Sequence, residues 1–317
     1  MRFFPTTLFL HRTFVLFSAL AAVSVSAAQA DTLRVGANQT YKMPSEAAAV
    51  AKTGDTVEID PGEYFDCAIW KADNLTIVGK GSGVVVTDKS CQGKALFVIT
   101  GSNVTVRNLT LTRAVVPDGN GAGIRAEGVN LTIDNVQFTK DQNSILAIDN
   151  PKSTISIDHS TFNQDGWCPN GTGCAHGIYI NHIGLLKITN STFFESRDGH
   201  HIKSRASRTE LLNNNISDGQ KGNASYLVDI PNGGSVIIEN NTMEKGPNCS
   251  NHSAAIVIGA EGVTQHTDDI VVKNNKFTND YQGDVRFVRN LTATPAILTG
   301  NSFSGKVVPL DGDGEVH

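Results

Sequence analysis

The sequence predicts an all-β right-handed parallel β-helix, a solenoid with a short capping helix near its amino end. Two observations carry this expectation. First, eight short segments repeat one pattern. Four read Val104-Thr-Val-Arg-Asn108-Leu-Thr-Leu, Leu131-Thr-Ile-Asp-Asn135-Val-Gln-Phe, Ile155-Ser-Ile-Asp-His159-Ser-Thr-Phe and Leu186-Lys-Ile-Thr-Asn190-Ser-Thr-Phe. Three more centre on Asn214, Asn240 and Asn274, and the last is Ile297-Leu-Thr-Gly300-Asn-Ser-Phe. Apolar residues alternate with polar ones on both sides of the Asn, the period of a half-buried strand. Successive markers stand 27, 24, 31, 24, 26, 34 and 26 residues apart. A period in the mid-twenties with two insertions marks a solenoid, whose coils bury an apolar column only by stacking. Second, the chain holds 30 Gly and only 7% aromatic residues. Recurring Val, Ile, Thr and Asn with many turn formers favour short strands over helices. A leucine-rich repeat would need denser Leu and a helical stretch in each unit.

Each element follows in chain order. Arg2, His11 and Arg12 precede an apolar run, Phe14 to Val25, ending in Ala28-Gln29-Ala30. That pattern predicts a secretory signal over residues 1–30. The run is shorter than the ~20 residues a membrane span needs. Pro44, Ser45 and Glu46 can open a helix, Ala47 to Ala51 favour it, and Gly54 can stop it. A helix there would cap the open end of the apolar column. Asn suits the tight turn in each repeat because it tolerates left-handed backbone, and stacked Asn side chains can bond from coil to coil. The β-helix is expected over 31–304, followed by a loose polar tail over 305–317. In an exported chain five cysteines permit disulfides. Cys168 with Cys174 and Cys67 with Cys91 are the expected pairs, leaving Cys249 free, although spacing alone does not fix connectivity.

From Asp31 to Ser304 the repeat resembles the pectate-lyase-like superfamily of right-handed β-helices. The resemblance includes the segment Ala47-Ala-Ala-Val-Ala-Lys-Thr-Gly-Asp-Thr-Val-Glu-Ile-Asp-Pro-Gly-Glu-Tyr64, which has the form of that superfamily's capping helix, first strand and Pro-Gly turn. It implies that the Asn turn separates the second and third strands of each coil. It also implies that the outer face of the first-strand sheet, walled by loops, is the working cleft. First strands are then expected at Gly123–Glu127, Ile145–Asp149, His176–Asn181, His200–Arg205, Ser225–Asp229 and Ala255–Ile258. Ile178, Ile202 and Val228 should stack inside. Tyr179, Lys203 and Asp229 should form one outward column and Gly177, His201 and Leu227 a second, while Asn181 and Arg205 begin a third. His176 and His200 should lie at the strand mouth.

The segment Arg197-Asp-Gly-His-His-Ile-Lys-Ser-Arg-Ala-Ser-Arg208 concentrates basic and titratable groups. Breaking a uronic-acid polymer by β-elimination requires a cation for the carboxylate, a base for the neighbouring proton and an acid for the leaving oxygen. Lys203 or His201 is the candidate base, Arg205 the clamp and Tyr179 the acid. His176, His200, Asp229, Asp165, Arg208 and Trp167 are candidate substrate contacts, the Trp as a platform for a sugar ring. The structural alternative is that Lys203 simply pairs with Asp229 and the arginines solubilise the surface.

No complete catalytic signature is present. Ile157-Asp158-His159 is similar to a short pectate-lyase motif, but His159 falls in the Asn-turn column. Gly199-His200-His201-Ile202 is similar to a polygalacturonase motif, yet the preceding coil reads Asn181-His182 and lacks an Asp pair. Ile202-Lys203-Ser204 resembles a strand of chondroitinase- and alginate-lyase-type β-helices in which the Lys is the base. Calcium would suit Asp165, Asp198 and Asp229 as oxygen ligands. The histidines lack the Cys or carboxylate spacing of a zinc site. The net charge of −5 comes without a basic run, which speaks against nucleic acid. The expectation is a secreted or periplasmic monomer, free of the membrane after signal removal, acting on an acidic polysaccharide. Elimination leads. A non-catalytic glycan-binding or export module, or a hydrolase or epimerase, remains open.

Overall fold

The computed structural model describes residues 1–5, 30–168 and 173–317. The expected signal therefore lies almost wholly outside the described residues. Three parallel sheets form the walls, of ten, twelve and ten strands. The front sheet runs from Ala68–Trp70 to Val307–Gly312 and contains Ile178–Ile180, Ile202–Ser204, Val228–Ile230 and Ala254–Ile258. The second sheet holds the strand before each Asn turn and the third the strand after it. Every strand pairs in parallel with its counterpart one coil away, so one turn of chain adds one strand to each sheet.

The register places Ile178 on Ile202 and Ile202 on Val228, with Tyr179, Lys203 and Asp229 on the opposite phase. The first set is fully buried, as the alternation predicts. Burying each such side chain is worth roughly 1.5–3 kcal/mol. In the third sheet the rings of Phe138, Phe162 and Phe193 stack nearly parallel, with centroids 5.0 and 4.4 Å apart.

Turn residues Asn108, Asn135, Asn190, Asn240 and Asn274 have positive φ, and His159 and Gly300 take the same place. One marker moves: Asn213, with φ 58°, occupies the turn instead of Asn214. Leu212 pairs with Thr189 and Glu239, which puts Asn213 level with Asn190 and Asn240. Asn214 lies one position further on, in a buried amide ladder with Asn241, Asn275 and Asn301. Each Nδ2 donates to the next Oδ1 at 2.9–3.0 Å.

The helix Pro44–Val50 forms where expected and packs on the amino-terminal coil. The carboxyl end departs from expectation. Val307–Gly312 pairs with Val285–Asn290, and Gly314–Val316 pairs with Ala296–Thr299, so these residues continue the coil. Their polar composition hides an alternation in which Val307 and Leu310 still pack on the core. Both disulfides form as expected, Cys67–Cys91 and Cys168–Cys174, and Cys249 is free and buried. No helix among the described residues is long and apolar enough to cross a membrane.

Candidate active site

Tyr179, Lys203 and Arg205 share one cleft of about 580 Å³ on the front sheet with His176, His200 and Glu261. The strand alternation aims the first three outward. The loop Gly259–Gly262, two coils on, brings Glu261 over them. Lys203 Nζ lies 3.0 Å from Asp229 Oδ2 and 2.6 Å from Glu261 Oε1. Arg205 reaches Glu261 Oε2 at 2.8 Å, donates to Asn232 Oδ1 at 2.8 Å and donates to the Tyr179 hydroxyl oxygen at 3.4 Å. Both cations lie within 6 Å of the Tyr179 ring centroid.

Asp229 sits beneath this layer, only 3% exposed. Burial raises its carboxyl pKa, and the Lys203 ammonium opposes that rise. Glu261 is half open. Desolvation would raise its pKa, but hydrogen bonds and charge from Lys203 and Arg205 hold it below the ordinary value.

The rings of His176 and His200 stack with centroids 4.6 Å apart. The Tyr226 N–H donates to Nδ1 of His200, and the His200 N–H donates to Nδ1 of His176. A nitrogen that accepts cannot carry the proton of a neutral ring, so this pattern assigns both protons to Nε2. His200 Nε2 then faces Asp229 Oδ2 at 3.4 Å. Burial, joined by Lys203 and Arg205, pushes His176 down to about 3. Burial followed by the charges of His176 and Lys203 drives His200 well below its usual value. Both imidazoles are neutral at pH 7, and His200 directs its N–H at Asp229.

Four expected contacts lie elsewhere. His201 points inward, is 2% exposed and meets Asp218 at 2.9 Å, so it is no base for the cleft. The reason is local. Asp198 and Gly199 both take left-handed backbone, and the strand begins only at Ile202. Alternation therefore cannot be extended back to His201, and Leu227, just ahead of the strand that begins at Val228, is likewise buried in the core. Asp165 is buried, accepting from the Asp141 N–H and the Ser144 hydroxyl. Arg208 belongs to a second-sheet strand and pairs with Glu210 and Asp269. Trp167 lines a different hollow. Asp165, Asp198 and Asp229 do not converge. Among the described residues the one carboxylate and His cluster of ligating geometry is Asp134, Asp158 and His159 on the second-sheet edge.

Glu261, Asn232 and Asp218 were missed. Register could have flagged Glu261, because Val257 stacks on Asp229 and the turn after Ile258 must then fall on the same edge.

An alginate lyase from Paenibacillus superposes with a TM-score of 0.60 at 18% identity, covering 90% of this chain and 99% of that one. This chain has the right-handed parallel β-helix fold. A pectin methylesterase from Aspergillus niger matches this β-helix less closely, with a TM-score of 0.47 at 12% identity over 92% of both chains. A probable pectate lyase A from Aspergillus fumigatus is 24% identical over 175 residues. The β-helix chain spans about half the length of that curated relative, the match covering 51% of it and 53% of this chain. No family model matches the sequence.

Proposed function

We propose that this β-helix is an exported lyase that cleaves a uronate-containing polysaccharide by β-elimination in the front-sheet cleft. The observation that carries the reading is the convergence of Lys203, Arg205 and Tyr179 on one outer face, with buried Asp229 behind the lysine. Arg205 binds the uronate carboxylate and withdraws charge from the adjacent carbon. Two N–H bonds of Lys203 are directed at Asp229 and at the carboxylate that spans Lys203 and Arg205, which is Glu261 at rest and the uronate's own once substrate has displaced it. In the free amine the lone pair then takes the remaining tetrahedral position, facing the cleft. It accepts the C5 proton, the C4–O4 bond breaks and a C4=C5 double bond forms. Arg205 donates to the Tyr179 oxygen, so the phenolic proton is free for the leaving O4. Proton return from Lys203 to Tyr179 through solvent restores the site, and no water is added. Similarity to the Paenibacillus alginate lyase and to the Aspergillus fumigatus probable pectate lyase A supports this reaction class. The signal pattern read in residues 1–30 and the two disulfides support export to the periplasm or beyond.

The test follows the ultraviolet absorbance of the unsaturated product while the purified mature chain meets alginate, polygalacturonate and other uronate polymers, with and without calcium. Product is expected from at least one polymer. Lys203→Ala and Tyr179→Phe should each lose about 100- to 10,000-fold in rate with unchanged circular dichroism. Full activity in both variants would remove the assignment. Polymer binding without product would make the β-helix a glycan-binding module.

A further inference from the structure

The loops that wall the cleft also have a back. Residues 114–121 contribute to both sides, as do Trp167 on one and Gly173 and Cys174 on the other. Asp118, Asn120 and Cys174 face the cleft, whereas Val115, Pro117 and Trp167 line a hollow of about 790 Å³ together with Lys140 and Arg197. We propose that this hollow is a second subsite for an acidic glycan, with a sugar ring on Trp167 and its carboxylate on Arg197 and Lys140. The proposal rests on the reading of the chain as a protein of uronate polymers.

Three observations support it. Trp167 and Val115 are 37% and 59% exposed, an apolar surface a folded chain does not gain by leaving in water. The Trp is also held firmly in place. Its backbone pairs with Ala175 in both directions, the next residue is bridged by Cys168–Cys174, and the Gly166 N–H donates to the Asp141 carbonyl. A backbone anchored in this way needs little ordering when a ligand stacks on the ring it carries. Lastly, the charges are complementary to a uronate. Arg113 in the same hollow is engaged by Asp88 and Glu63, but Lys140 and Arg197 have no carboxylate within 4.0 Å among the described residues. The Arg197 backbone is itself anchored, donating to the Asp165 carbonyl at 2.7 Å. An aromatic platform beside two cations without a salt bridge among the described residues suits an acidic sugar better than a neutral one.

Tryptophan emission tests this directly. The chain has two Trp residues, and Trp70 is fully buried. Oligomers of polygalacturonate and alginate are titrated into the Lys203→Ala variant, which stops turnover, with a neutral malto-oligosaccharide as control. A saturable change in emission is expected with an oligouronate. It should vanish in Trp167→Phe, weaken at least threefold in a Lys140→Ala, Arg197→Ala double variant, and survive Arg205→Ala. A silent titration with an oligouronate that the wild type cleaves would overturn the subsite while leaving the elimination reading intact. An equal response to the neutral sugar, or loss of the response in Arg205→Ala, would also overturn it. A response without any unsaturated product would uphold the subsite and reject the lyase.

Discussion

Glu261→Gln is the most informative single change in the cleft. In the resting structure Glu261 spans Lys203 and Arg205, contacting them at 2.6 and 2.8 Å, as the carboxylate of a bound uronate would. Substrate must therefore displace it. The Glu261 side chain is 45% exposed, so each of its two pairs is worth about 0.2–1 kcal/mol. Together they oppose substrate by about 0.4–2 kcal/mol, which corresponds to a factor of about 2 to 30 in affinity. Gln keeps the shape and removes the charge, so KM for an oligouronate should fall by that factor with kcat little changed. Initial rates of unsaturated-product formation measure this, and the gap between wild type and variant should narrow at high salt. A raised KM, or a collapse of kcat at constant KM, would refute the displacement argument and make Glu261 a positioning residue for Lys203. Stability provides a second check. The Glu261 pKa is depressed on folding, so its contribution is present above the ordinary Glu value and lost as pH falls through the folded value. Glu261→Gln should lack that acid-side loss.

The core offers two further tests. Burial, followed by the neighbouring Asp165 charge, raises the Asp141 pKa well above the ordinary value, and burial lifts Asp165 to about 7. Folded protein therefore holds protons that the unfolded chain has lost, and stability falls as pH rises from about 4, the ordinary Asp value, through that of Asp165. Asp141→Asn should raise Tm at pH 8 and change it little at pH 4.5; an equal loss at both values would show that the carboxylate is needed for the fold. Phe162, fully packed between Phe138 and Phe193, should cost about 3–5 kcal/mol when changed to Ala, read as a lower urea midpoint with unchanged slope.

The fold was legible because the alternation of Val, Ile and Leu is enforced by the core, coil after coil. The same logic placed Tyr179, Lys203 and Asp229 in one column. It failed at His201 and Leu227, which lie just ahead of their strands, where period-2 counting no longer applies. It failed by one residue at Asn213 because two adjacent asparagines serve different ends, one for a left-handed turn and the other for a buried ladder. Glu261 lies 58 residues from Lys203, and no local pattern links them. The tail was misjudged from composition, although pairing with the preceding coil is what orders it.

The front-sheet columns also set a ruler. Tyr179, Lys203 and Asp229 belong to three consecutive coils, and coils repeat every ~4.8 Å because backbone hydrogen bonds fix the distance between strands. A side-chain column on this face therefore presents its groups at a fixed backbone-set interval, and lengthening the solenoid by a coil would add one more group to each column.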